Sequence, residues 1–468
     1  MELMDTSVTV LILAAGLGTR MKSKHAKVLH RAGGKSLVEH AVASALEVAP
    51  AGRIFVVTGY QAERVEALLQ PMGVRFVRQQ EPKGTGHAVA VCREQAGRQE
   101  GLVVVFYGDC PLITGATLRR LVEHQRGSSA ALTLISTRLA DPTGYGRILR
   151  GADGSVEAIV EQKAGTPEQL AIQEVNPGFY CFRAESLWKH IGELDNDNPA
   201  GEYYLTDMVQ ILRAAGGRVE SIFHEDAQEL MGINTRVELA LADRALRERT
   251  ARRLMLEGVT IEKPETVTID AQVKIGPDTV IEPFARILGN TVIGEECRIG
   301  SAAILEDCTL EDRVEVAPFT VLSGSHLERE VHVGPFARLR MGCHLGQDAR
   351  VGNFVEMKKT RFGAGSKAMH LAYLGDATIG AGVNIGAGTI TCNYDGVAKH
   401  PTQIADGAFV GSNSTLVAPL EIGAGSYIGA GSVITKPVPE DALAVGRGRQ
   451  VNKEGWAKRR RERQARRD

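Results

Sequence analysis

Aliphatic residues recur every six positions through the second half of the chain. Ile275, Ile281, Ile287, Ile293 and Ile299 form one run. Val321, Leu327, Val333, Leu339, Leu345 and Val351 form a second, and Ile404, Val410, Leu416, Ile422, Ile428 and Ile434 a third. If roughly a quarter of residues are aliphatic, a run of six arises by accident about once in a few thousand frames. Three runs exclude accident. A hexapeptide period is the pattern of a parallel β-helix, in which each repeat lays down one flat face and turns its aliphatic residue into a narrow core. Glycine often follows the aliphatic residue, as at Gly294, Gly300, Gly352, Gly423 and Gly429. A small residue there is expected to let the chain turn the corner. The repeats are expected to start near Val267 and persist to about Ile434.

The first half has a different pattern. Largely apolar runs at Val8–Leu13, 53–57, 102–106 and 131–136 predict buried strands. Helical patterns at 37–48 and Ala62–Leu69 lie between them. Such alternation predicts an α/β domain with a mostly parallel sheet. Residues 235–257 lack Gly and Pro and are rich in helix formers, with Thr235 as N-cap and Gly258 as stop. They read as a connecting helix. The expected organisation is an α/β domain at 1–232, a linker helix at 233–257, a β-helix at 258–450 and a basic tail at 451–468. Residues 458–468 carry seven basic and two acidic side chains. Without interleaved aromatics, they read as a solvated, partly disordered tail rather than a nucleic-acid site.

Composition narrows the class. The formal net charge is −1, so no global field recruits nucleic acid or membrane. Seven cysteines, an odd number with no C-x-x-C, favour free thiols in a reducing compartment. No stretch is long and apolar enough to span a bilayer, and the N-terminus shows no signal-peptide pattern. The expectation is a soluble cytoplasmic protein.

The first chemical site follows the first strand. The segment from Leu13 to Met21 reads LAAGLGTRM. A Gly-rich turn there can wrap backbone N–H groups around phosphate. It is neither a Walker A motif nor a dinucleotide fingerprint. Arg20 and Lys27 can oppose phosphate charge. The run from Val103 to Asp109 is a strand ending in an acid, and ligands of open α/β sheets bind at such ends. Asp109 facing a triphosphate is a natural Mg²⁺ ligand. Residues 81–88 (EPKGTGHA) form a second Gly-rich loop suited to packing against a nucleobase.

These segments, with KVLH (27–30), YGD (107–109), DPTGYGRI (141–148), IVEQK (159–163) and GEYYLTD (201–207), resemble the sugar-1-phosphate nucleotidyltransferases. The match is closer to the bifunctional N-acetylglucosamine-1-phosphate uridylyltransferase/glucosamine-1-phosphate N-acetyltransferase family, and it covers nearly the whole chain. The resemblance implies a Rossmann-like nucleotidyltransferase domain followed by a left-handed β-helix. It implies that Leu13, Ala14, Ala15, Gly16, Gln79, Gly84 and Thr85 hold the uracil nucleotide, and that Arg20 and Lys27 meet the triphosphate. Asp109 and Asn234 would bind Mg²⁺. Gly146, Glu161 and Asn176 would contact N-acetylglucosamine, with Tyr107 and Gly108 lining the site. Three positions depart from the family pattern. Ala26 replaces a usual Pro, which predicts a more mobile loop before Lys27. Pro177 stands for Thr, and Cys110 for an aliphatic residue.

The second chemical site falls where the six-residue rhythm lapses, between Val351 and Ile404. Breaks in a solenoid commonly become loops on a binding face. Polar residues crowd the interval, and His370 is the natural general base. By the same resemblance, Arg340, Lys358, Tyr373 and Asn384 would hold glucosamine-1-phosphate, and Glu356 is a candidate to orient His370. Ala387, Asn393, Tyr394, Ser412, Ala430 and Arg447 would line the acetyl-CoA site. Cys392 reads as a small buried residue. Met341 replaces a usual Pro after Arg340, leaving the aim of Arg340 open. The resemblance also implies a homotrimer with active sites between subunits, and a Lys453-Glu454-Gly455-Trp456 tail that reaches a neighbour.

The reading is an enzyme that acetylates glucosamine-1-phosphate with acetyl-CoA and then couples the product to UTP, feeding bacterial envelope synthesis. One alternative is a single-activity nucleotidyltransferase with a structural or regulatory β-helix. Another is a non-catalytic nucleotide-sugar scaffold. The His370/Lys358/Asn393 cluster opposes the first, and Asp109, Lys27 and Asn234 oppose the second.

Overall fold

The computed structural model describes residues 7–98 and 100–466. The chain divides into two compact units, Met1–Arg249 and Thr250–Asp468.

The first unit is built on one mixed, mostly parallel sheet. Its strands are β1 (Val8–Leu13), β2 (Ile54–Thr58), β3 (Arg75–Arg78), β4 (Leu102–Tyr107), β5 (Leu132–Arg138), β6 (Gly146–Arg150), β7 (Val156–Val160), β8 (Glu174–Asn176), β9 (Tyr180–Arg183) and β10 (Val219–Phe223). The spatial order is β3-β2-β1-β4-β9-β5-β8-β6-β7, with β10 beside β5. The block β3-β2-β1-β4 is parallel, as is the β5–β10 pair. β9 runs antiparallel to both β4 and β5 and joins the two parts. All six residues of β1 are buried, and five of the six are aliphatic, as a strand covered on both faces requires. Leu11, Phe55, Val103 and Val105 pack on one side of the sheet, and Val10, Ile12, Val56 and Val104 on the other.

The long helix occupies Arg236–Leu256. Its start is a capping box: Glu238 N donates to the Thr235 hydroxyl (3.2 Å), and Thr235 N donates to Glu238 Oε2 (2.7 Å). Gly258 just beyond its end has φ +98°, a conformation that suits glycine at a helix stop.

The second unit is a parallel β-helix of three sheets with eleven, ten and nine strands. The first face runs from Thr260–Ile261 to Leu443–Ala444, the second from Thr268–Ile269 to Val433–Ile434, and the third from Lys274–Ile275 to Leu420–Ile422. The ladder therefore begins before Val267 and ends after Ile434. Inward residues stack face by face, as in Ile281↔Ile299 and Ile293↔Leu310.

Three expectations change here. The rhythm does not open into a loop over 353–376. Glu356–Lys358, Arg361–Phe362, Lys367–His370 and Tyr373–Gly375 are strands of unbroken coils. The buried residues are Met357, Phe362, Ala368, Leu374 and Ile379, so the step from the second face to the third is five residues rather than six. Two such corners shift the phase, and only the excursion around the Tyr394–Lys399 bridge leaves the coil. The same five-residue step corrects Val321: Leu322 is the fully buried residue, and Val321 is only half-buried. Gly294, Gly300, Gly352, Gly423 and Gly429 after the inward residues do not supply left-handed backbone. A Cβ on Gly294 would lie 2.8 Å from Asp312 N, and one on Gly300 2.6 Å from Pro318 N. They allow successive coils to approach. Left-handed corners fall instead on other residues of the coils, among them Phe284, Phe319, Phe336 and Phe354, with φ from 56° to 64°.

The tail is also more ordered than expected. Trp456–Gln464 is an exposed α-helix, consistent with its run of Ala, Lys, Arg, Glu and Gln. Among the described residues no helix is long and apolar enough to cross a membrane, and all seven cysteines are free.

Candidate functional site

In the first unit, the C-terminal ends of β1 and β4 lie side by side, with Leu13 in register with Tyr107. Gly108 N donates to Leu13 O (2.9 Å), which ties the two loops that leave the sheet. These loops border a cleft of about 600 Å³. Leu13, Ala14, Ala15, Gly16, Arg20, Lys27, Gln79, Gly84, Thr85, Tyr107, Asp109, Gly146, Glu161, Asn176 and Asn234 all line it. Gly108 does not line it. It sits behind, where a Cβ would meet Ala14 Cβ at 3.1 Å.

The charged groups converge on one point. Lys27 Nζ forms an ion pair with Asp109 and donates to Asn234 Oδ1 (3.0 Å). Arg20 NH2 donates to the same Asn234 oxygen (2.8 Å). Asn234 is itself fixed by the helix start, because its N–H donates to Glu238 Oε2 at 2.6 Å. The T-x-x-E spacing of Thr235 and Glu238 is the sequence signal for this brace, and Glu238 was absent from the expected site. Tyr145, Glu202 and Pro177 also line the cleft. Burial pushes the Tyr145 hydroxyl up to about 12.

Gln79 Nε2 donates to Gly84 O (3.1 Å) and contacts His87 Nδ1 (2.9 Å), holding the second Gly-rich loop. Gly84 takes φ +102°, and a Cβ there would lie 2.9 Å from Tyr203 N, so the position demands glycine. The GEYYLTD segment straps this loop: Leu205 N donates to the Thr85 hydroxyl (3.0 Å). Its Thr206 hydroxyl donates to Glu161 Oε1 (3.0 Å), and burial raises the Glu161 carboxyl above its ordinary value. Asn176 Nδ2 donates to the Tyr180 hydroxyl at 2.6 Å.

One departure, Ala26, resolves differently from expectation, and Cys110 is placed. Ala26 is 1% exposed, and its N–H donates to Gln61 Oε1 (3.0 Å). A proline would lack that donor. Gln61 Nε2 in turn donates to Lys24 O (2.8 Å), so the loop before Lys27 is braced by a side chain. Cys110 is buried, and its thiol lies 3.6 Å from Asp109 Oδ1 as a weak donor.

In the second unit, the expected residues fall into two groups around the second face. His370 ends a first-face strand, opposite Asn353 on the preceding coil. His370 Nδ1 lies 2.8 Å from Asn353 Oδ1. An amide oxygen accepts, so this contact suits the tautomer with the proton on Nδ1, the one that leaves Nε2 as a proton acceptor. Gly388 N donates to His370 O at 3.4 Å, which brings the chain beside Ala387 to the same corner. Asn413 N donates to Ala387 O (2.7 Å), and Gly431 N to Ser412 O (2.8 Å). Ala387, Ser412 and Ala430 thus rise along one corner. Asn384 lies on the first face, in register with Lys367.

The other group lies at the far end of the second face. Arg340 and Lys358 are register neighbours, as are Glu356 and Tyr373. Glu356 does not orient His370. Its carboxylate accepts Arg340 Nε (2.8 Å) and pairs with Arg340 NH2 (2.7 Å), on a different face. Lys358 is buried, 3.5 Å from Asp376 Oδ2, and Asn393 Nδ2 donates to that same oxygen. Asp376 and Lys399 were missed by sequence reasoning, since only the coil register brings them here. Met341 takes φ 62°, which proline cannot adopt. Tyr394 and Arg447 are exposed, and Cys392 is half-buried rather than buried.

A nucleotide-transfer cleft joined to a polar β-helix defines a two-unit transferase. Residues 10–204 match the MobA-like NTP transferase domain, 263–362 the GMPPB C-terminal domain, and 401–436 the bacterial transferase hexapeptide (six repeats). The bifunctional protein GlmU of Solibacter usitatus (strain Ellin6076) is 58% identical over 98% of this chain and 99% of its own. That of Koribacter versatilis (strain Ellin345) is 50% identical over 97% of each chain. That of Anaeromyxobacter sp. (strain Fw109-5) is 51% identical over 97% of this chain and 93% of its own. The chain belongs to the family of the bifunctional protein GlmU.

Proposed function

We propose that the chain makes UDP-N-acetylglucosamine in two steps, acetyl transfer by residues 258–450 and uridylyl transfer by residues 1–232. The observation that carries the reading is that one chain holds both a convergent cationic cleft and an exposed histidine held through Nδ1 by Asn353 on a β-helix corner.

In acetyl transfer, Nε2 of His370 accepts a proton from the glucosamine-1-phosphate amine as that nitrogen attacks the thioester carbonyl. The C–S bond breaks, coenzyme A leaves as the thiol after protonation, and no acyl-enzyme forms. Arg340, Lys358, Tyr373 and Asn384 hold the sugar phosphate. Ala387, Asn393, Tyr394, Ser412, Ala430 and Arg447 line the acetyl-CoA site. Cys392 has no part in it.

In uridylyl transfer, a phosphate oxygen of N-acetylglucosamine-1-phosphate attacks the α-phosphate of UTP in line, and pyrophosphate leaves. Such a reaction needs positioning and charge neutralisation more than a protein nucleophile. Arg20 and Lys27 supply positive charge. Gln79 and the Gly84-Thr85 loop seat the uracil, and Glu161 and Asn176 meet the sugar. Asp109 and Asn234 suit Mg²⁺, because both present hard oxygens to one cation, the Lys27 ammonium. When bound, Mg²⁺ neutralises phosphate charge.

The protein acts in the cytoplasm as a homotrimer. A column of exposed rings supports assembly: Phe319 and Phe336 stack at 5.1 Å, and Phe336 and Phe354 at 5.4 Å. The test is thiol release from acetyl-CoA with glucosamine-1-phosphate, for the unaltered protein and His370→Ala. A loss of roughly 10²–10⁴-fold is expected for a general base. No release from the folded, unaltered protein would leave a single-activity nucleotidyltransferase with a structural β-helix.

A further inference from the structure

The Lys358 side chain is 5% exposed, and a buried ammonium is costly without a counter-charge. Asp376 supplies it, 3.5 Å away through Oδ2. That oxygen also accepts a 2.5 Å hydrogen bond from Asn393 Nδ2. One carboxylate oxygen therefore ties together two residues assigned to different co-substrates. In the acetyltransferase reading Lys358 holds the sugar phosphate and Asn393 lines the acetyl-CoA site.

The surrounding fold enforces this junction. Asp376 sits at a corner with φ 49°, a left-handed conformation that aspartate tolerates better than most residues. Its N–H donates to Lys358 O (2.9 Å), and its carbonyl accepts Thr402 N (3.2 Å) from beyond the excursion. Gly375 beside it leaves room for these side chains, since a Cβ there would lie 2.8 Å from Asn393 Nδ2 and would displace the Tyr373 hydroxyl. The excursion returns Lys399 against Lys358. Contact with Lys358 pushes Lys399 below the ordinary lysine value, while contact with Lys399 and the Asp376 charge raises Lys358. Asp376 pairs with Lys358 alone, so Lys399 stands beside that pair as a second basic group that a phosphate can meet.

We infer that Asp376 is a positioning residue for acetyl transfer, which sets the sugar-phosphate lysine and the acetyl-CoA asparagine with one oxygen. The inference rests on the acetyltransferase reading above. It separates two functions of the carboxylate, its charge for Lys358 and its acceptor for Asn393.

The experiment compares KM for both co-substrates in the full-length protein, Asp376→Ala and Asp376→Asn. Asp376→Ala removes both functions and should raise both KM values roughly tenfold or more. Asp376→Asn keeps an acceptor oxygen for Asn393 but not the charge. It should raise KM for glucosamine-1-phosphate roughly tenfold while KM for acetyl-CoA stays within about twofold. That split would not arise from a loosened fold, and pyrophosphate release with UTP should stay at the unaltered level in both variants. Equal rises in both KM values for Asp376→Asn, or no rise, would overturn the inference while acetyl transfer by the unaltered protein still stood. If Asp376→Ala fails to fold, the Asp376→Asn split decides alone. No acetyl transfer by the unaltered protein would overturn the inference and the reading beneath it together.

Discussion

The two units bring polar groups together in opposite ways. In the first, loops distant in sequence converge, so that Arg20, Lys27, Asp109 and Asn234 meet within hydrogen-bonding distance. In the second, each coil contributes one or two side chains to a lattice fixed by strand register. His370 meets Asn353 and Lys358 meets Asp376, each one coil apart. A convergent site suits a reaction that must neutralise a triphosphate at one place. A laddered site suits a long co-substrate that can lie along successive coils. The difference teaches that the first site depends on loop bracing, whereas the second depends on the count of residues per corner.

The sharpest break of this comparison is Asp109→Ala. It removes the carboxylate that pairs with Lys27 in the convergent network of Arg20, Lys27 and Asn234, and pyrophosphate release should be abolished. Thiol release from acetyl-CoA should remain at the unaltered level. Loss of both in a folded protein would show that the two sites do not work independently.

A smaller effect is expected at Asn353, which touches no reacting atom but fixes the His370 ring. Asn353→Ala should lower kcat of acetyl transfer roughly tenfold, the scale of one lost orienting hydrogen bond, with KM unchanged. Asn353→Asp restores an acceptor and should recover most of the rate. An unchanged kcat in the alanine variant would remove Asn353 from the site.

Glu161 offers a trade between binding and stability in the convergent cleft. Burial raises its carboxyl above the ordinary value, so the folded state holds a proton that the unfolded state has released. Stability therefore rises as pH falls from the raised value toward the ordinary carboxylate range. Glu161→Gln keeps an acceptor for Thr206 and removes the buried charge. It should melt higher than the unaltered protein at neutral pH, with the gap closing on acidification, while binding of the sugar phosphate weakens. A gap that widens on acidification would refute the sign.

How much of this was legible in the sequence follows from the same contrast. The convergent cleft was read almost whole, because its groups sit in compact motifs at strand ends, and Gly108 alone stands behind rather than within it. The brace by Glu238 was also readable as a capping spacing. The β-helix itself was plain from the repeats, but its polar contacts were not. Asn353, Asp376 and Lys399 find their partners only after the five-residue corners shift the register, and the six-residue rule misplaced Val321 for the same reason. Glu356 looked free to orient His370 because face assignment depends on that phase. Ala26 suggested a loose loop, since the Gln61 brace lies far off in sequence.

The smallest effect tests how the laddered unit carries strain at its corners. Met341 holds φ 62° directly after Arg340, where the resemblance expects proline. An unbranched residue in left-handed backbone costs about 1–2 kcal/mol relative to glycine. Glycine loses part of that gain through its more mobile unfolded chain. Met341→Gly should therefore stabilise the second unit by less than about 1 kcal/mol in denaturant unfolding, with Arg340 still paired to Glu356 and acetyl transfer unchanged. Met341→Pro cannot keep this φ and should destabilise instead, with a raised KM for glucosamine-1-phosphate as Arg340 is re-aimed. If proline were the better tolerated of the two, the corner after Arg340 would have to follow the conformation usual in the family rather than the left-handed one described here.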